Sequence, residues 1–424
     1  MEQALYDNCL AILKNELMVA LGCTEPIAIA YVAALARKVL DAEPAECVVR
    51  CSGNIVKNVM GVVVPNSGGQ RGIAVAAVLG IVGGDADREL QVLETVTSGD
   101  IERTRQLIAQ GFCNCELVEG VENLYVEVRL TDADGHRATA EIRDRHNNVT
   151  RITRDGQVLL TQAPEDGDAQ HGIDKSLLSI ETILAFADRV KLEDIEEVIG
   201  RQIAYNTAIS EEGLQNSYGA EVGRVLMEKG GNDLHIRARA AAAAGSDARM
   251  SGCPLPVVIN SGSGNQGITV TMPIVEYAKA YGIGRERMYR ALAAANLLSI
   301  HQKKYIGSLS AYCGAVSAAC GAGAGIAYML GCPYDVICHV ITNTISTIGG
   351  MVCDGAKSSC AAKIAAAVEC ALLSLDMAQE GHVFQPGEGM VKNNIEDTIK
   401  SIGRMGRDGM RETDIEILNI MLNK

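Results

Sequence analysis

The sequence predicts an α+β protein: a large, mainly helical domain with Gly-rich turns, interrupted by a small inserted α+β domain carrying an antiparallel sheet. Three observations support this. Helical spacing runs from Glu2 to about Leu40 and dominates again from Ser176 onward, whereas period-two alternation is confined to the stretch between Cys115 and Thr161. The core must be built from small residues, because the chain has 44 Gly, no Trp and 3 Phe. On this reading, residues 1–86 and 166–424 form the helical domain and residues 87–165 form the insert. The 424 residues are ample for both.

The first helical stretch breaks at Gly22-Cys23-Thr24-Glu25-Pro26, where Pro26 suits the first turn of a second helix ending near Leu40. Residues 47–85 mix β-branched runs with Ser52-Gly53-Asn54 and Asn66-Ser67-Gly68-Gly69, and read as short segments joined by Gly turns. An acidic helix is expected near Asp100 to Gln110. Strands follow at Cys115–Val118, Leu124–Leu130, Arg137–Ile142, Thr150–Ile152 and Val158–Thr161, separated by polar turns. Gln162 to Lys175 reads as a polar linker. A short echo links Val64–Val75 with Val258–Val270: both place Asn-Ser-Gly before an apolar run, and two such turns would present backbone N–H groups to one anion.

Composition excludes several roles. With 38 Lys+Arg against 52 Asp+Glu, the net charge of −14 gives no overall field to gather nucleic acid. The N-terminal segment is acidic where a secretory signal would be basic and then apolar, so a cytoplasmic protein is expected. Tyr305 to Tyr334 carries no charge and is long enough to span a bilayer, but its Gly, Pro, Ser and Cys favour a buried central helix or helix pair. Without export, 14 Cys imply free thiols, a metal or thiol chemistry rather than disulfides.

Seven of those cysteines fall between Cys313 and Cys370. Cys313 and Cys320, like Cys353 and Cys360, are seven residues apart, which on a helix would set both sulfurs on one face. Cys332, Cys338 and Cys370 suit packing as small hydrophobes. Cys353 and Cys360 stand among Gly, Asp354, Lys357, Lys363 and Ser, and the nearby positive charge favours the thiolate that metals bind. The spacing does not match structural zinc knuckles; an iron-sulfur cluster held at long spacing is the better fit. Cys23, just before a helix, is expected to be a reactive, anionic thiol under the helix dipole. The turns around Ser52 and Ser261 suit an amino acid's carboxylate and ammonium. Lys57, Lys303 and Lys357 are candidates for carboxylate pairing against a solvated default, and His301 is either a base or a capping or surface histidine.

Taken together, Gly22-Cys-Thr-Glu-Pro26, Ser52-Gly-Asn-Ile-Val-Lys-Asn58, Asn260-Ser-Gly-Ser-Gly-Asn-Gln-Gly267, Gly349-Gly-Met-Val-Cys-Asp-Gly-Ala-Lys-Ser-Ser-Cys360 and Gly406-Arg-Asp-Gly-Met-Arg-Glu-Thr-Asp414 resemble the L-cysteine desulfidase family, relatives of the iron-sulfur L-serine dehydratase alpha chain. The resemblance spans nearly the whole chain. It implies a 4Fe-4S cluster on Cys313, Cys353 and Cys360 with one iron open, and leaves Cys320 to packing. It also implies a pyridoxal-phosphate-independent lyase that eliminates sulfide from L-cysteine to give pyruvate and ammonia. Cys23 would be a proton-transferring thiol or a transient fourth ligand, with Glu25, Lys57 and Lys357 as its catalytic companions. Substrate contacts are expected from Thr24, Ser52, Gly53, Asn54, Asn58, Asn66, Ser261, Ser263, Gly264, Asn265 and Gln266.

Two other readings stay open: an L-serine dehydratase, and a non-catalytic amino-acid or metal sensor whose residues 87–165 bind the ligand. The expected partners are a small amino-acid substrate and a second copy in a homodimer, with neither nucleic acid nor membrane.

Overall fold

The computed structural model describes residues 1–163, 172–307 and 309–424. Its first half contains α1 (Gln3–Glu16), β1 (Val19–Leu21), α2 (Thr24–Leu40), β2 (Pro44–Ser52), α3 (Gly53–Met60), α4 (Ile73–Gly83) and α5 (Ser98–Ala109). Strands β3 (Cys113–Val118), β4 (Tyr125–Asp132), β5 (Arg137–Arg143), β6 (Val149–Arg154) and β7 (Gln157–Thr161) follow. Next come α6 (Ile180–Arg189), α7 (Leu192–Gln215), α8 (Val222–Gly230), α9 (Leu234–Met250) and β8 (Pro256–Val258). The chain continues through α10 (Gly264–Tyr281), α11 (Arg285–Ile306), α12 (Gly314–Met329), α13 (Tyr334–Ile348), α14 (Ser359–Gln379), α15 (Ile395–Arg404) and α16 (Arg411–Met421). The class is α+β. Residues 164–171, the middle of the expected linker, lie outside the described residues.

Six strands form one sheet in the order β3-β2-β4-β5-β6-β7. Neighbours pair antiparallel except β2 with β3, which run parallel with Cys47 opposite Cys113. The sheet is therefore mixed. Residues 87–165 supply five of its strands; β2 comes from residues 44–52, where only short turn-linked segments were expected. The reason is long-range pairing: Cys47, Val49 and Cys51 are buried on one face, and both edges of β2 are satisfied by chain more than 60 residues away. β4 packs on α2, which joins the sheet to the rest of the molecule.

In the helical body, α12 lies at the centre against α10, α11, α13 and α14. All its residues from Ala315 to Met329 are buried, as the charge-free run from Tyr305 to Tyr334 anticipates. Among the described residues, no helix is long and apolar enough to cross a membrane. Small residues permit the close helix approach. A Cβ on Gly80 of α4 would lie 2.3 Å from the Ala30 carbonyl oxygen of α2, and one on Gly213 of α7 would lie 2.0 Å from the Ala244 oxygen of α9. Neither backbone can yield without moving a helix. Gly80→Ala should therefore destabilise the fold by about 1–3 kcal/mol, read as a lower urea midpoint at unchanged slope; an unchanged midpoint would show that the α2–α4 contact is not this tight.

Candidate functional site

Four helices begin at one cleft. Cys23 caps α2, Ser263 caps α10, Cys313 caps α12, and Cys360 stands in the first turn of α14. The cleft has a volume of about 100 Å³, and Cys23, Cys313, Cys353 and Cys360 all line it. Unsatisfied N–H groups and positive dipole ends make such a convergence an anion-stabilising environment. The cleft shares His146, Ser261, Gly262 and Lys303 with an outer chamber of about 390 Å³, which gives it a passage outward.

A short antiparallel contact joins the thiol-bearing loops. Tyr312 bridges Val352, the Cys313 amide donates to the Met351 carbonyl at 2.9 Å, and the Cys353 amide donates to the Ala311 carbonyl at 2.7 Å. The neighbouring Cys313 thiol, the charges of Lys57 and Lys303 and the Gly355 amide outweigh burial and hold Cys353 well below the usual thiol range. The neighbouring Cys353 thiol, together with burial, pushes Cys313 far up, and burial raises Cys360. Negative charge at this pair is therefore favoured on Cys353.

The helical-face reading of the cysteine spacing does not hold. Cys313 precedes its helix and Cys353 lies in a loop, so neither seven-residue pair shares a helical face. Cys320 is fully buried inside α12 and directed at the Ile341 carbonyl.

Cys23 also differs from expectation. It sits at a helix N-terminus, but it is 1% exposed and its thiol donates to Glu25 Oε2 at 3.1 Å. Burial and then the Glu25 charge push its pKa well above the ordinary thiol value, so it holds its proton. Burial alone would raise Glu25 as well. His146, the Cys23 thiol and Arg249 overcome that and bring its carboxyl down to about 2. Thr24 Oγ1 donates to the same carboxylate at 3.1 Å. His146 Nε2 stands 3.8 Å from Glu25 Oε1, too far for a hydrogen bond.

Gly22 makes this turn possible with φ +59°, a conformation that suits glycine, and its carbonyl accepts from Arg249 Nε at 2.8 Å. Gly264 admits the guanidinium, since a Cβ there would lie 2.3 Å from Arg249 Nε. Buried and without a hydrogen-bond partner among the described residues are Arg249 Nη2, His146 Nε2, Asn265 Oδ1 and Gln266 Oε1, all from residues lining the cleft. Buried polar atoms are rarely left unpaired, so this set marks a place for a polar ligand.

The family described as serine dehydratase alpha chain matches residues 87–419. The chain belongs to that family. Similar curated proteins share its full length: a UPF0597 protein of Lachnoclostridium phytofermentans is 48% identical over 419 residues, covering 99% of this chain and 100% of its own. Others occur in Desulfitobacterium hafniense, at 47% over 99% of this chain and 97% of the relative, and in Finegoldia magna, at 44% over 98% and 100%.

Of the residues singled out from the sequence, Cys23, Glu25, Asn58, Ser261, Ser263, Asn265, Gln266, Lys303, Cys313, Cys353 and Cys360 line the cleft. Thr24 and Gly264 support its wall. The others stand elsewhere. Lys57 is not on a solvated face but 1% exposed, and it is ion-paired with Asp414. Lys357 pairs with Asp354. Ser52 donates to the Asn123 carbonyl, Asn54 to Asp414, and Gly53 is packed against Leu418. Asn66 donates to the Leu93 carbonyl and lines a separate surface hollow, so the two echoing turns do not converge on one ligand. The first echo folds on itself through a Val63–Arg71 bridge instead. His301 is buried, 2.8 Å from Glu396, and lines neither chamber.

Sequence reading missed His146 and Arg249. Arg249 had a signal, a charge at the end of an alanine-rich buried helix. His146 had none, because Arg145-His146-Asn147-Asn148 reads as an ordinary polar hairpin turn. Lys303, considered for carboxylate pairing, is buried at the wall shared by both chambers, and burial lowers its ammonium to about 8.

Among the described residues, no three His, Cys, Asp or Glu side chains are gathered closely enough for a single metal ion. Cys313, Cys353 and Cys360 around one cleft are donors of the type that holds an iron-sulfur cluster. In metal-free reduced protein, the lowered Cys353 should alkylate faster than Cys23 at pH 7 and slow as falling pH protonates it, while Cys23 stays slow until strongly alkaline pH. Peptide mass spectrometry after iodoacetamide pulses checks this; equal rates for the two thiols would contradict the charge assignment.

Proposed function

We propose that the protein is a cluster-dependent β-eliminating lyase acting on a small L-amino acid, with L-cysteine as substrate and sulfide, pyruvate and ammonia as products. One observation carries the reading: the three cysteines Cys313, Cys353 and Cys360, distant in sequence, line the same small cleft as Cys23 and a set of unpaired buried polar atoms. Those three thiols would hold a 4Fe-4S cluster, which would supply Lewis acidity toward a soft leaving group.

The chain's own residues do the rest. Arg249 Nη2, with the turn at Ser261 and Ser263, holds the substrate carboxylate at the start of α10, where the dipole favours negative charge. Asn265 Oδ1 and Gln266 Oε1 are acceptors for the ammonium. His146 Nε2 is the available acceptor for the α-proton, and Cys23 Sγ–H is the donor that protonates the departing group, its proton held in place by the ionised Glu25. Elimination leaves aminoacrylate, which water hydrolyses to pyruvate and ammonia. The cleft's small volume favours a substrate without a long side chain.

A second reading has a specific support: the matching family carries the serine dehydratase name, and L-serine would lose hydroxide in place of sulfide. A sensor role for residues 87–165 alone has less support, because among the described residues of that span only His146 lines the cleft.

Anaerobically reconstituted protein should release sulfide and pyruvate from L-cysteine in equal amounts, at a kcat/KM above that for L-serine; the reverse order selects the dehydratase reading. His146→Asn should lower kcat by about 10²–10⁴ with little change in KM, whereas Arg249→Met should cost on the order of 3 kcal/mol in kcat/KM. Full turnover by metal-free Cys353→Ala protein would overturn the proposal.

A further inference from the structure

Lys57 is too buried and too fully paired to act on substrate, and its partners say what it does instead. Its ammonium forms a 2.5 Å ion pair with Asp414 Oδ1 and donates to the Cys353 carbonyl at 3.3 Å. Asp414 lies on α16, almost 360 residues from Lys57, and its second oxygen accepts from Asn54 at 2.7 Å. The surrounding backbone is stacked as closely. A Cβ on Gly53 would lie 2.5 Å from Leu418 of α16, and one on Gly355, which has φ +93°, would lie 2.3 Å from the Lys57 carbonyl oxygen. The order is α16, then α3, then the loop bearing Cys353.

We propose that Asp414 is a positioning residue of the thiol site: through Lys57 it fixes the backbone of Cys353, so that α16 latches the 349–358 loop in the shape that holds the cluster. This rests on the cluster reading given above. A buried lysine is costly unless paired, and Asp414 supplies the pairing that keeps Lys57 against the loop carbonyl rather than turned to water.

The test uses the full-length chain. Replacing the pair together, Lys57→Met with Asp414→Leu, removes the grip without stranding a charge, an exchange that is often neutral for stability. In metal-free protein the double variant should keep its melting temperature, while amide hydrogen exchange in peptides covering residues 349–358 rises roughly tenfold or more. After anaerobic reconstitution it should retain much less iron than wild type. Asp414→Glu should restore most of both, and Asp408→Asn, which breaks an exposed pair with Arg407, should change neither. Wild-type exchange in the double variant would overturn the latch. Wild-type protein that takes up no iron would instead overturn the cluster reading, with the exchange arm still deciding whether the latch exists.

Discussion

The site depends on two backbone hydrogen bonds flanking the Tyr312–Val352 bridge. They set a loop at the head of α12 beside a loop 40 residues later, so that Cys313, Cys353 and Cys360 line the same cleft. Removing a proton from one of two buried thiols is normally expensive. Here the cost is offset by the neighbouring thiol, two buried ammonium groups and a backbone N–H, all organised before any ligand arrives.

Helix geometry extends the same principle across the cleft. Four N-termini converge on one small cleft, and the electrostatic effect of each is larger between low-dielectric walls than at an open surface. Within that field, two sulfurs of one cleft behave oppositely. Cys353 faces lysines and becomes the charged thiol, whereas Cys23 faces Glu25 and stays protonated. The difference is one of neighbours rather than of secondary structure, since Cys23 has the better helix position.

Much of this was legible in the sequence, and the failures have physical causes. The strands from 113 to 161 were legible from β-branched, alternating runs between polar turns, although β4 is buried on both faces and β3 and β7 have no buried residue, and α12 follows from a long charge-free run. β2 was not legible: its pairing partners lie far along the chain, and the Ser-Gly-Asn after it resembles a turn when it in fact opens α3. Motif residues marked the cleft well where a backbone turn forms its wall, as at Ser261 to Gln266. Lys57, Ser52, Asn54 and Asn66 do not line the cleft; their ammonium, hydroxyl and amide N–H groups go to internal partners that no local pattern reveals. Seven-residue spacing suggested shared helical faces, but Cys313 precedes its helix and Cys353 lies in the loop before α14, so the thiols are brought to the cleft through loops. His146 reaches the cleft from a hairpin whose role depends on how the sheet rests on α2.

Iron and acid-labile sulfide, measured per chain on protein purified and reconstituted without oxygen, test the convergence of the three thiols most directly. About four of each are expected in wild type, with a marked loss when Cys313, Cys353 or Cys360 is singly replaced by serine and none when Cys320 is. Iron-free wild type, or a content indifferent to Cys313→Ser, would contradict it.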